Sequence, residues 1–315
     1  MQVRTYDEVD PFDVYKLTLA AFGSGLRERW VRLARRRDPR VLDEYAIYAV
    51  VRGRPVAQVI PLRMDVRLTS GIEHVGGIAG VCSHPAVWGR GYARRLMEHA
   101  HEMYRARDLS IATLATSRNI RGYGLYRRLG YVDLVPFYRA TRRVSRRTPR
   151  RSAVRLRKAR RSDLPTIQTL FERYVRGLCG WSVRPVELLP LYVAWSADVL
   201  DSFRLVLRDG GPVGYLSTNP KAQRLVEEAI IPNPADFRVA VHILEGRAPG
   251  GVATTGDLAA ARDVARFRAL GYTIAGPIPS TTMALSLDGS RSTRSLPRAF
   301  GATLGRFVHY PTDDF

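Results

Sequence analysis

The sequence predicts an α/β protein built from two tandem domains of one kind, and three observations carry that expectation. Periodic segments in the first half alternate between strand and helix, an order that calls for a sheet covered by helices. The two halves also open alike: a short strand, an acidic turn and an apolar helix over Val3 to Leu19 return over Val154 to Phe171. They close alike as well, since Leu125-Tyr126-Arg127-Arg128-Leu129-Gly130-Tyr131 matches Arg266-Phe267-Arg268-Ala269-Leu270-Gly271-Tyr272. A repeat of this length is a duplicated domain, because a solenoid would repeat over a much shorter stretch.

Each element follows from local pattern. Tyr45 to Val51 is β-branched and apolar, Arg52-Gly53-Arg54-Pro55 turns, and Val56 to Leu68 reads as the next strand. Thr69-Ser70-Gly71 turns again into a strand at Ile72 to Cys82. Ala93, Leu96, Met97, Ala100 and Tyr104 recur at helical spacing within Gly91 to Arg107. Leu109 to Ala115 is a further strand, and Asn119 to Leu129 a helix that Gly130 ends. In the second half Asp163 suits a helix N-cap, with Pro165 in the first turn. The charged, proline-containing stretch Arg146-Arg147-Thr148-Pro149-Arg150-Arg151-Ser152 reads as a linker. The expected division is 1–145, 152–290 and a tail at 291–315.

Composition narrows the class. With 45% hydrophobic residues the chain can bury packed cores, which excludes global disorder. No apolar run is long enough to span a bilayer, so no membrane partner is expected. The first residues contain Asp7 and Glu8 and no apolar block, so they do not read as a signal peptide, and the cytoplasm is the expected location. Cys82 and Cys179 lie in no metal-ligand spacing and read as reduced thiols; neither a disulfide framework nor a metal is expected. The net charge is +21, and all basic residues but Lys16, Lys158 and Lys221 are arginine. Spread along the whole chain, they read as compositional bias; the alternative is a surface for nucleic acid, for which the Arg142 to Arg161 run speaks.

The chemistry gathers at Val81-Cys82-Ser83-His84-Pro85-Ala86-Val87-Trp88-Gly89-Arg90-Gly91-Tyr92-Ala93-Arg94. A strand runs into a glycine-rich loop that opens an amphipathic helix. Gly89 and Gly91 let backbone approach a ligand, and the N–H groups of the first helical turn point outwards together, an arrangement that binds phosphate or pyrophosphate. No Gly-Lys-Ser/Thr follows, so this is not a Walker loop, and the spacing does not fit a Rossmann fingerprint. The stretch resembles the acetyl-coenzyme A loop of the GNAT superfamily, Gln/Arg-x-x-Gly-x-Gly/Ala. Gly91 and Ala93 match its last two positions, while Trp88 stands where Gln or Arg is usual and Arg90 offers a substitute donor. Asn119, Gly122, Leu125, Tyr126, Gly130 and Tyr131 resemble the superfamily's later motif Asn-x-x-Ala-x-x-Leu-Tyr-x-x-x-Gly-Phe.

That resemblance implies a GNAT fold with a mixed, mostly antiparallel sheet, and acetyl-CoA as cosubstrate. Its implied contacts are Val81, Cys82, Ser83, Gly89, Arg90, Gly91, Tyr92, Ala93, Arg94 and Asn119. It makes Tyr126 the general acid that protonates the departing thiolate, a role a phenol beside the sulfur can fill. Many GNAT enzymes carry a glutamate base fourteen residues before the position of Gly91; here that residue is Gly77. Glu73 and His74 lie earlier on the strand, His84 reads as structural, and Cys82 as a buried thiol that forms no acyl intermediate.

A GNAT domain followed by a degenerate one resembles the enhanced intracellular survival (Eis) acetyltransferases, as do Gly53 to Ala57 and Val75 to Val81. In that family the C-terminal carboxylate is the base, which nominates Phe315, although the family normally carries a third domain before that terminus and only a short remnant is expected after residue 290 here. In the second half Phe267 replaces the tyrosine and no Gly-x-Gly/Ala pair opens a helix between Phe237 and Thr255, so that half is expected to lack its own acetyl-CoA site and to wall the substrate cleft. Around Ser24 to Pro39, the usual place for acceptor contacts in the superfamily, Trp30 with Asp38, Asp43 or Glu44 is a candidate cradle for a cationic amine, set against a plainer reading in which Trp30 packs inward beneath a solvated basic face. The resemblance implies an N-acetyltransferase acting on a small polyamine-like compound, an aminoglycoside or a lysine side chain by direct attack, with homo-oligomerisation left open. The rivals are a catalytically inactive acyl-CoA sensor and a basic nucleic-acid-associated protein.

Overall fold

The computed structural model describes residues 1–144, 152–219 and 221–310. The chain divides into two compact units. The first consists of Met1–Leu134 with Thr281–Ala299. The second comprises Val135–Ser280 and, among the described residues, 300–310.

In the first unit the order is β1 (Gln2–Thr5), α1 (Pro11–Phe22), α2 (Glu28–Arg37), β2 (Ile47–Val51), β3 (Arg54–Arg67), β4 (Ile72–Ser83), α3 (Tyr92–Arg105), β5 (Ile111–Ser117), α4 (Arg121–Arg128) and β6 (Val132–Asp133). The second contains β7 (Phe137–Arg143), β8 (Val154–Lys158), α5 (Leu164–Val175), α6 (Leu188–Trp195), α7 (Ala197–Ser202), β9 (Phe203–Arg208), β10 (Gly211–Asn219), β11 (Arg224–Ile230), α8 (Pro234–Glu245), β12 (Val252–Thr254), α9 (Ala261–Ala269) and β13 (Thr273–Ile278). The chain then gives β14 (Ser280–Ser286) and α10 (Ser295–Ala299) to the first unit.

The first unit holds a seven-stranded sheet in the order β1-β2-β3-β4-β5-β14-β6. Its β1–β2, β2–β3, β3–β4 and β14–β6 pairs are antiparallel, and β4–β5 is parallel. The second unit holds an antiparallel sheet β11-β10-β9-β8 and a separate one, β12-β7-β13. This is the mixed, mostly antiparallel architecture the sequence predicts. One feature of it is not visible in the repeat: β7 lies within the expected first domain but pairs in the second unit, while β14 lies within the expected second domain and completes the first unit's sheet.

The helical periodicity of α3 buries Leu96, Met97, Ala100 and Tyr104 against Ile47, Ala49, Ala57 and Val59 of β2 and β3. Each fully buried leucine or methionine of this kind contributes about 1.5–3 kcal/mol relative to exposure. Asp163 does not cap α5 with its side chain. It closes the preceding 3₁₀ turn instead, accepting from the Arg160 N–H at 2.7 Å and from both ends of the Arg157 guanidinium at 2.8 and 2.9 Å. A bidentate arginine outcompetes a backbone cap for a carboxylate, because both of its donors are charged.

Candidate active site

The geometry of the site begins where β4 leaves its neighbours. Its parallel ladder with β5 consists of Gly76–Ala112 and Gly77–Thr113, after which the two strands part. On the other side, the β3–β4 register shifts between Gln58–Cys82 and Ile60–Ala79, so β4 carries one extra residue. Gly80 sits in that bulge with φ +57°, a left-handed conformation that suits glycine. Buried Gln58 reaches across and donates from Nε2 to the Gly80 carbonyl at 3.0 Å. Beyond Gly77, β4 therefore presents backbone to the parting strands in place of a β5 ladder. Buried backbone polar groups need partners, and an extended amide-bearing ligand supplies them.

The closed end of this opening is held by Tyr104. Its hydroxyl donates to the Gly77 carbonyl and accepts from the Leu62 N–H at 3.3 Å. Its ring lies where a side chain at Gly76 would be, and a side chain at Gly77 would collide with Met64 Sδ. Neither glycine has open space beside it. The other titratable groups of β4 are engaged elsewhere: Glu73 binds Arg291 at 2.8 and 2.9 Å, and His74 pairs with Asp65. Nδ1 of His84 accepts from the Ala86 N–H at 3.2 Å and caps a short turn.

After β4 the chain enters the glycine loop. Gly89 (φ +81°) and Gly91 (φ +78°) adopt left-handed conformations. Gly91 is the N-cap of α3, and no side chain caps that helix. The N–H of Arg95 is the first to bond back into the helix, to the Gly91 carbonyl at 3.1 Å. The N–H groups of Tyr92, Ala93 and Arg94 precede it and have no intrahelical acceptor, which makes them anion donors reinforced by the helix dipole. Arg90, Arg94 and Arg95 are exposed around them, with Arg94 also bound to Glu98 at 2.8 Å. Val81 and Ser83 are half-buried along the strand, and Asn119 is exposed just before α4.

Burial pushes the Cys82 thiol up to about 12, so it is no nucleophile at neutral pH. Tyr126, on α4, is 6% exposed. Burial, with a smaller contribution from Cys82, pushes its phenol up to about 12. Gly122 lies one turn earlier, and a Cβ there would sit 3.2 Å from the Tyr126 hydroxyl. Phe315 lies outside the described residues. Upstream of it, Phe307, Val308 and Tyr310 are buried in the second unit, and the Val308 N–H donates to the Cys179 carbonyl at 2.8 Å.

The proposed amine cradle near α2 is largely self-neutralised. Asp38 is buried in a fork with Arg40 at 2.9 and 2.8 Å, and Glu44 binds Arg107 at 2.7 Å. Half-buried Trp30 has the Arg29 guanidinium over its ring at 4.4 Å, and Asp43 remains exposed. Sequence reasoning missed Gln58 and Tyr104 as shaping residues. Gln58 had a readable signal, a single polar side chain between Ala57 and Val59 in an apolar strand.

The second unit repeats the strand–helix layout without the open donors. β11 touches the β12 segment through a single bridge, Val226–Thr255. The N-cap of α8 is Asn233, whose side chain accepts from the Ala235 and Asp236 N–H groups at 2.8 and 3.2 Å. Pro234 supplies no N–H. Phe267 is buried between Phe237 and Tyr272, with ring centroids 5.3 and 5.1 Å away.

Residues 2–132 match the family model described as the acetyltransferase (GNAT) domain. The first unit contains a GNAT acetyltransferase domain. No curated protein matches the chain in sequence. Among solved structures, a conserved protein of Enterococcus faecalis described as a probable N-acyltransferase is 15% identical with TM-score 0.71, covering 91% of this chain and 73% of its own. A GCN5-related N-acetyltransferase from Kribbella flavida is 20% identical with TM-score 0.65, over 91% and 72% of the two chains. Eis1 from Mycobacterium abscessus is 16% identical with TM-score 0.61, over 91% and 74%. At these identities the likeness is one of fold, and the fold is a tandem GNAT fold.

Proposed function

We propose that the chain transfers an acetyl group from acetyl-CoA to a primary amine, with the first unit active. What carries this is the succession along one strand and its loop of the end of the β4–β5 ladder at Gly77, the Gly80 bulge and the uncapped N-terminus of α3. The thioester arm lies along residues 78–83, where strand amides polarise its carbonyl, and the diphosphate rests on 89–94. The amine attacks the thioester carbon directly; the C–S bond breaks, and Tyr126 passes its proton to the departing thiolate. Burial holds the Tyr126 phenol protonated, at about 12, across the neutral range, so the proton is available when the thiolate departs.

With no carboxylate at Gly77, the acceptor attacks as the free amine, and the proton it then sheds passes to the C-terminal carboxylate of Phe315 or to solvent. The acceptors are small polyamine-like compounds, aminoglycosides or lysine side chains. The test is thiol release from acetyl-CoA across a panel of such amines. Release with at least one amine supports the reading. Binding of acetyl-CoA without release from any of them supports an acyl-CoA sensor, the reading that the filled space at Gly77 favours.

A further inference from the structure

Trp88 replaces the side-chain donor usual at the head of the coenzyme loop, and its surroundings show what it offers instead. Half of the residue, 50%, is exposed. An exposed indole on a loop is ordinarily free to turn, but this one is fixed twice. Its Nε1 donates to the Ser83 carbonyl at 3.0 Å, and the guanidinium of Arg121 lies over the ring at 4.7 Å. Arg121 is the first residue of α4. The pair thus joins the loop that follows β4 to the helix that follows β5, the two strands that part beyond Gly77. Trp88 also lies in the loop that leads into α3, four residues before the first of the open N–H groups that suit a diphosphate.

We propose that Trp88 and Arg121 form the platform for the adenine ring of coenzyme A, the flat aromatic base joined to that diphosphate. The indole stacks on the base, and the guanidinium sets positive charge beside the phosphates. The substitution at position 88 then moves part of the recognition from phosphate to base. This proposal rests on the acetyl-CoA reading above.

Calorimetric titration of wild type, Trp88→Ala, Trp88→Phe and Arg121→Ala with two ligands tests it: acetyl-CoA, and S-acetyl-4′-phosphopantetheine, which keeps the thioester arm and lacks the adenosine. Trp88→Ala is expected to weaken acetyl-CoA about tenfold and to leave the shorter ligand unchanged. Trp88→Phe, which keeps a stacking ring, stays close to wild type. Arg121→Ala weakens acetyl-CoA and lowers the salt dependence of its binding. Equal losses for both ligands in Trp88→Ala, or no loss for either, overturn the platform. A wild type that binds neither ligand removes the acetyl-CoA reading itself, an outcome seen before any variant is compared.

Discussion

The two units present the same strand–helix junction in opposite states. At α3 the N-cap is Gly91, and the donors of the first turn are open. At α8 the cap is Asn233, which takes up two of those donors, while Pro234 removes another and buried Asp236 adds a carboxylate paired with Arg208. The second pair of counterparts divides in the same way: Tyr126 carries a hydroxyl, and Phe267 packs between two rings. A few side chains thus separate the two junctions, because an anion-binding helix N-terminus consists of backbone left unsatisfied. Satisfying that backbone internally stabilises the helix and closes the site.

Substitutions that exchange these states test the comparison. The largest effect is expected from Tyr126→Phe, which should lower kcat by about 10² to 10⁴ with acetyl-CoA affinity retained. The reciprocal Phe267→Tyr should create no activity and destabilise the protein by about 1–3 kcal/mol by burying an unpartnered hydroxyl. The pH profile follows from the same residue. With the acid near 12, activity should climb as the acceptor amine deprotonates and then level off, with no falling limb below about pH 11. A descending limb between pH 8 and 10 would mean that another acid acts.

Next in size is Gly91→Asp, which places a carboxylate at the open helix start. Acetyl-CoA affinity should fall about a hundredfold, the scale of losing one or two hydrogen bonds to a charged group. Gln58→Met keeps the volume and removes the bond to the Gly80 carbonyl. It should cost up to about tenfold in kcat while directly measured acetyl-CoA binding holds, because the bulge aims the thioester without gripping the diphosphate. The smallest effect is expected at α8: Asn233→Ala should lower stability by about 1 kcal/mol in denaturant titration and leave acetyl-CoA binding unchanged.

Local pattern made much of this legible. The 3.6-residue period fixed the buried face of α3, the glycines marked the loop, and the Leu-Tyr pair before Gly130 located Tyr126, since each depends on residues close in sequence. What escaped depends on partners distant in sequence. Nothing in Phe137–Arg143 says which sheet that strand will join, so the exchange of β7 and β14 was invisible. The acids near Trp30 read as free because Arg40 and Arg107 become their partners only on folding. The packing around Gly77 was equally invisible, because Met64 and Leu62 reach it only across the sheet. The α8 cap lies outside the Phe237 to Thr255 stretch, since the helix starts at Pro234 and is capped by Asn233.

The most direct test of the account is the stoichiometry of acetyl-CoA binding measured on the wild type, Gly91→Asp and Asn233→Ala. One equivalent per chain is expected in the wild type and in Asn233→Ala, and in Gly91→Asp no binding at concentrations that saturate the wild type, since its affinity falls about a hundredfold. Two equivalents, or one that survives Gly91→Asp and disappears in Asn233→Ala, would contradict the assignment of the open site to α3.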